Sequence, residues 1–138
     1  MKLLALDCET TTHSKGNAYD SRNKLVCFSY ASDEVANTEP VSRIHDLDNY
    51  LRPVDMVIGF NFKFDLAWFL KYGVYQLKDK HIWDVQIAEF ILSNQTNRFP
   101  SLNETCARYG LEQKLDVVKE QYWDKGINTD EIPWEVLE

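Results

Sequence analysis

Met1-Lys2-Leu3-Leu4-Ala5-Leu6-Asp7-Cys8-Glu9-Thr10-Thr11-Thr12 opens the chain. Its near-continuous apolar run, Leu3 to Leu6, reads as a strand buried on both faces. Two carboxylates, Asp7 and Glu9, follow at the end of that run. Side chains two apart on a strand share a face, roughly 6.5–7 Å apart along the backbone. Acids that close repel each other, and burial favours their neutral forms. A cation relieves both costs, and carboxylate oxygens suit Mg2+ or Mn2+. The pair therefore points to a metal-dependent enzyme nucleated on Asp7 and Glu9. Acids also follow strands simply because strands end in polar loops, so the pair needs a partner elsewhere in the chain.

At 138 residues and 16.2 kDa the chain reads as one domain, 1–138, large enough to bury a core. A hydrophobic content of 44% with 13% aromatics places it among globular proteins rather than disordered ones. The first apolar run is too short for a signal peptide and is closed by acids. No stretch approaches the length of a membrane span, so no membrane partner is expected. Cys8, Cys27 and Cys106 are scattered, odd in number and without metal-type pairing, which suggests reduced thiols and a cytoplasmic setting. The net charge of −7 argues against a protein that grips duplex DNA through its own basic stripe. If this chain handles nucleic acid, metal ions must neutralise phosphate locally, or a neighbouring domain must deliver the strand.

Beyond the first strand lies a polar loop, 11–23, which is long for a connection and sits beside the acids. Lys24 to Ala31 reads as a second strand, with a hairpin at Ser32-Asp33-Glu34 leading to a weaker third near Val35 to Thr38. From Val41 to Arg52, Ile44, Leu47 and Leu51 recur at helical spacing; Ser42 is a candidate N-cap and Pro53 a stop. Asp55 to Phe60 is a fourth, buried strand. Asn61 then occupies an N-cap position, and a helix runs to about Tyr72 with Gly73 as its stop; Phe62, Leu66, Phe69 and Leu70 form its apolar stripe. Asp65, four residues after Asn61, emerges at the same kind of strand-to-helix junction as the first two acids. A carboxylate early in a helix also suits the macrodipole, and that alone would explain it. His81 to Trp83 reads as a fifth strand. Asp84 then opens a helix through about Leu92 whose apolar residues are Ile87, Ala88, Ile91 and Leu92; it reads as an N-cap first and a site residue second. Ser101-Leu102-Asn103-Glu104 fits a capping box for a helix ended by Gly110. Leu115 to Trp123 reads as helical, with Val117, Val118 and Tyr122 as core candidates. Pro133 opens a last helix of little more than one turn.

Taken together, LDCETTT (6–12) and GFNFKFDLAWF (59–69) resemble the first two motifs of the DEDD (DnaQ-like) 3′–5′ exonuclease superfamily. The chain is most similar to the proofreading domain of family A (Klenow-type) DNA polymerases, with a bacteriophage flavour. DVQIAEFIL (84–92) and PSLNETCARYG (100–110) are similar to the helices that follow, so the likeness spans essentially the whole chain. It implies an RNase H-like α/β fold, a mixed central sheet of about five strands flanked by helices. It implies that Asp7, Glu9 and Asp65 are three of four catalytic, metal-binding acids holding two divalent ions, Mg2+ or Mn2+. Thr10 would contact the 3′-terminal nucleotide, Asn61 would position the substrate, and Lys63 and Phe64 would touch the strand. The implied partners are single-stranded DNA 3′ ends and a polymerase domain of the same or a separate chain, in the host cytoplasm if the gene is phage-borne. The third motif, Y-x-x-x-D or H-x-x-x-D, is not read downstream of Asp65; by family spacing it would fall in the helix opening at Pro133, just beyond Glu138. The expectation is thus a domain truncated at its C-terminus with weak or no nuclease activity. Three other readings stay open: a non-catalytic module that binds DNA or docks on a polymerase, an RNase D-like enzyme that trims RNA 3′ ends, and a split-gene product whose missing acid arrives on a separate chain.

Overall fold

A computed structural model of the chain describes residues 1–113 and 117–138. Its centre is a five-stranded mixed sheet in the order β3-β2-β1-β4-β5. β1 (Leu3–Thr10) lies in the middle, antiparallel to β2 (Leu25–Ala31) and parallel to β4 (Met56–Gly59). β3 (Ala36–Pro40) pairs antiparallel with β2, and β5 (His81–Asp84) pairs parallel with β4. The parallel pairs are joined by helical crossovers, as parallel pairing requires. α1 (Leu47–Leu51) precedes β4, and α2 (Phe62–Lys71) links β4 to β5. α3 (Val85–Leu92), α4 (Leu102–Arg108), α5 (Val117–Gln121) and α6 (Trp134–Leu137) follow.

β1 does not bury both faces, contrary to its apolar sequence. Leu4, Leu6 and Cys8 are buried, whereas Leu3 is 45% exposed and Ala5 is exposed. The buried row packs with Phe28 and Tyr30 of β2, Leu47 and Leu51 of α1, and Phe62, Trp68 and Phe69 of α2. Side chains of this size contribute about 1.5–3 kcal/mol each when removed from water, so this one-sided layer is the stabilising core. The apolar residues of α3 are not core either. Ile87, Ile91 and Leu92 are exposed, and the buried residue of α3 is Glu89. Glu89 is held by Arg108 Nη1 at 3.1 Å and by the Tyr109 hydroxyl at 2.7 Å, so an ion pair ties α3 to α4.

Local signals set most element ends. The segment 41–52 begins as a 3-10 turn (Val41–Asp46) with Pro40, not Ser42, at its cap position, yet Ile44, Leu47 and Leu51 are buried as their spacing requires. Gly73 ends α2 at a φ of +87°, a conformation open to glycine, and its N–H donates to the Leu70 carbonyl at 3.1 Å. Ser101 and Glu104 form the reciprocal capping box of α4. Of the expected helix 115–123, Leu115 and Asp116 lie outside the described residues; Val117 to Gln121 is helical, and Val117, Val118 and Tyr122 are half-buried. The cysteines are free thiols, with Cys8 and Cys27 buried. Among the described residues no helix is long and apolar enough to cross a membrane.

Candidate active site

The acid at the start of α2 is placed by a short chain of constraints. β4 ends at Gly59, where an added Cβ would stand 2.3 Å from Cδ2 of Phe62. Only a residue without a side chain lets the Phe62 ring fold back that closely. Asn61 then takes a left-handed conformation, φ +53° and ψ +43°, and its side chain makes no capping bond. α2 starts from there and turns Asp65 inward together with Phe62, Trp68 and Phe69. The buried face is therefore shifted from the apolar stripe, and Leu66 and Leu70 are only half-buried.

Asp65 reaches β1. The last paired residues of β1 and β4 are Ala5 and Ile58, so beyond them the β4-side edge of β1 is open, and there the Cys8 amide meets the first turn of α2. The Cys8 N–H donates to Asp65 Oδ1 at 3.0 Å, a buried bond between residues 57 apart in sequence. The carboxyl thus sits against the strand at the residue between Asp7 and Glu9. Only 4% of Asp65 is exposed. Burial first, and the charge of Asp7 second, push its pKa up to about 7, against the hydrogen bonds from Cys8 that favour the carboxylate. Burial, then the nearby Asp65, likewise drives the Cys8 thiol strongly upward, which makes it an inert thiol rather than a nucleophile.

Asp7 is exposed and Glu9 half-buried on the same strand. The β1–β2 register shifts between Glu9 and Thr10, an irregularity of the kind that re-aims side chains at strand ends. Among the described residues no group of three or more His, Cys, Asp or Glu is disposed to hold a metal ion. The three acids therefore share one end of β1 without forming a closed ligand set. Their chemistry still fits a hard divalent cation: oxygen donors, one of them kept partly neutral by burial first and a neighbouring acid second, a conflict that positive charge would relieve. A string of the third motif's form, Tyr75-Gln76-Leu77-Lys78-Asp79, occurs downstream, but it is a 3-10 turn ahead of β5. His81 is level with Met56 and Leu3, so that turn lies at the opposite end of the sheet from the acids.

Two open cavities meet at Phe64 and Lys15, and one of them reaches Glu9. One, of about 390 Å³, is lined by Glu9, Thr10, Thr12, Lys15, Phe64 and Trp123 among others. The second, of about 340 Å³, is lined by Tyr19, Asn61, Lys63, Phe64, Trp68 and again Lys15. Phe64, half-buried, is the wall between them; Thr10 is buried beside the first, and Asn61 and Lys63 are exposed at the second. Lys15, Tyr19 and Trp123 escape a reading by motif, although a long loop beside two acids is a fair signal for the first two. That loop is clamped down: Trp68 Nε1 donates to the Gly16 carbonyl at 2.9 Å. Gly16, at φ +74°, would carry a Cβ 2.8 Å from Thr10 Oγ1. From the other end of the chain, Asn128 Oδ1 accepts from the Thr12 N–H at 3.0 Å. Replacing Trp68 by Phe is expected to cost about 1–3 kcal/mol, since it strands a buried carbonyl. Urea unfolding reads this as a lowered midpoint at unchanged slope; an unmoved midpoint would mean that the clamp contributes nothing.

The five-stranded mixed sheet with its helices is an α/β fold of RNase H-like architecture. It is similar to the family B DNA polymerase of the hyperthermophilic archaeon Pyrobaculum calidifontis, with a TM-score of 0.58 at 12% identity. The match covers 82% of this chain and 19% of that one, so this chain spans about a fifth of the polymerase. At that identity the likeness is one of fold. No family model matches the sequence, and no curated protein matches it.

Proposed function

We propose that this domain is a metal-dependent 3′–5′ exonuclease of the polymerase proofreading type, acting on unpaired DNA 3′ ends. One observation carries the reading: Asp65, brought from α2, is buried against the backbone of β1 between Asp7 and Glu9. The likeness to a polymerase chain supports it at the level of fold. Asp7, Glu9 and Asp65 are the residues that would hold Mg2+ or Mn2+. Bound there, the ions supply positive charge against the phosphate and a nucleophilic water at neutral pH. The chain's own part is placement. Lys15 and Lys63 bring positive charge to an otherwise acidic surface, and Phe64 offers a ring on which an unpaired base stacks, worth about 1–3 kcal/mol. A 3′ end inside a duplex does not expose its base to that ring, so frayed ends are the expected substrates.

The test uses enzyme in excess over 5′-labelled single strands with Mn2+. A ladder shortening one nucleotide at a time from the 3′ end, slowed at least roughly 100-fold by Asp7→Asn, is the expected result. Internal cuts, or no cleavage even by a version extended past Glu138, would overturn the reading, and faster trimming of RNA would move it to the RNase D type. One observation favours a second reading, a non-catalytic module that binds DNA or docks on a polymerase: the described residues lack a closed group of three ligands. That reading expects strand binding untouched by Asp7→Asn and no cleavage.

A further inference from the structure

We infer that Asp84 is the positioning residue of the acid site: its carboxylate, seated in the backbone concavity at Asn61 and Phe62, sets where α2 delivers Asp65 on β1. Oδ1 of Asp84 accepts from the Asn61 N–H at 3.0 Å and Oδ2 from the Phe62 N–H at 2.9 Å. A left-handed residue followed by a helical one turns consecutive amides to one side, which makes an anion-binding nest. Here the anion is internal, so these two amides are not left for a phosphate. The Asn61 side chain does not stabilise its own left-handed conformation, so the bonds to Asp84 are what the backbone offers in compensation.

The register explains the reach. Asp84 is level with Gly59 across the β4–β5 pair, two residues before Asn61. The same Oδ1 also accepts from the Gln86 N–H at 3.0 Å, the cap of α3. One carboxylate at the end of an edge strand therefore fixes the starts of two helices. Asp65 lies in the first turn of α2 beyond Phe62, so a tilt or slide at the helix start moves its carboxyl off the Cys8 amide. For catalysis this inference rests on the exonuclease reading; for geometry it does not.

The experiment therefore needs neither DNA nor metal. Amide hydrogen exchange of the full chain is compared between wild type, Asp84→Ala and Asp84→Asn. In Asp84→Ala the Cys8 amide is expected to exchange at least ~10-fold faster, while amides of the β1–β2 ladder stay within about 3-fold. Asp84→Asn, which keeps one acceptor, should fall between. An unchanged Cys8 rate, or a uniform rise across the whole sheet, overturns the assignment, the latter because Asp84 would then merely hold the fold together. If Asp84→Ala does not fold, Asp84→Asn decides alone by the same two criteria. Failure here leaves the exonuclease test standing, and failure there leaves this geometry standing.

Discussion

Asp65→Asn is expected to make the metal-free protein more stable at pH 7.5 while removing the metal-dependent cleavage proposed above. The carboxyl has a folded pKa of about 7 against an ordinary 3.8, raised first by burial and then by Asp7. Well below pH 3.8 it is protonated in both the folded and unfolded states and carries no penalty. As pH rises toward 7 the unfolded state gives up its proton and the folded state resists, so stability falls across that window and stays low above it. Asn carries no charge, and its amide oxygen still accepts from Cys8. The gain at pH 7.5 should be about 1–3 kcal/mol, or roughly 4–12 °C in Tm for a chain of this size. Calorimetry in EDTA at pH 7.5 and pH 4 checks the sign, because most of the difference between the two proteins should be gone at the lower pH. A variant less stable than wild type at pH 7.5 would show that Asp65 is a structural acid rather than a strained one.

Among the five glycines, Gly59→Ala brings the added methyl into the closest clash and should be strongly destabilising. The new Cβ would meet Phe62 at Cδ2, Cγ and its own Cβ, at 2.3, 2.8 and 2.9 Å. Phe62 is 1% exposed and packed in the core, so its ring has nowhere to turn. The start of α2 must back away from the sheet instead, at a cost of about 2–3 kcal/mol, and it takes Asp65 with it. Two readouts should therefore move together: the urea midpoint falls, and protection of the Cys8 amide is lost. If the Ala variant unfolds within about 0.5 kcal/mol of wild type, the closeness of Phe62 does not govern the placement of α2.

Residues 1–12 and 59–70 disclose a central strand and a following helix because both carry strong local signals: an apolar run closed by acids, and a strand–turn–helix junction with Gly73 as its stop. Asp65 was legible as an acid early in that helix. Its burial was not, since an apolar count skips acids and the stripe it yields is Phe62, Leu66, Phe69 and Leu70. The buried face is instead fixed by Trp68, whose indole must reach the Gly16 carbonyl, 52 residues away. α3 shows the same limit. Its 3.6-residue period identifies a helix, but which face is covered depends on Arg108 and Tyr109, and these bury Glu89 rather than Ile87 and Ile91. Asp84 could be read as a cap for its own helix from Gln86. Its hold on Asn61 and Phe62 spans more than twenty residues and belongs to the β4–β5 register, which no local pattern encodes.

The central claim is that Asp65 shares one cation-binding acid site with Asp7 and Glu9. The carboxyl carbon of Asp65, followed by NMR through a pH titration with and without Mg2+, tests it most directly. The expected result is a midpoint near 7 in EDTA that falls below about 5 at saturating Mg2+, with the Mg2+ effect absent in Asp7→Asn. A midpoint that Mg2+ leaves in place would contradict the claim.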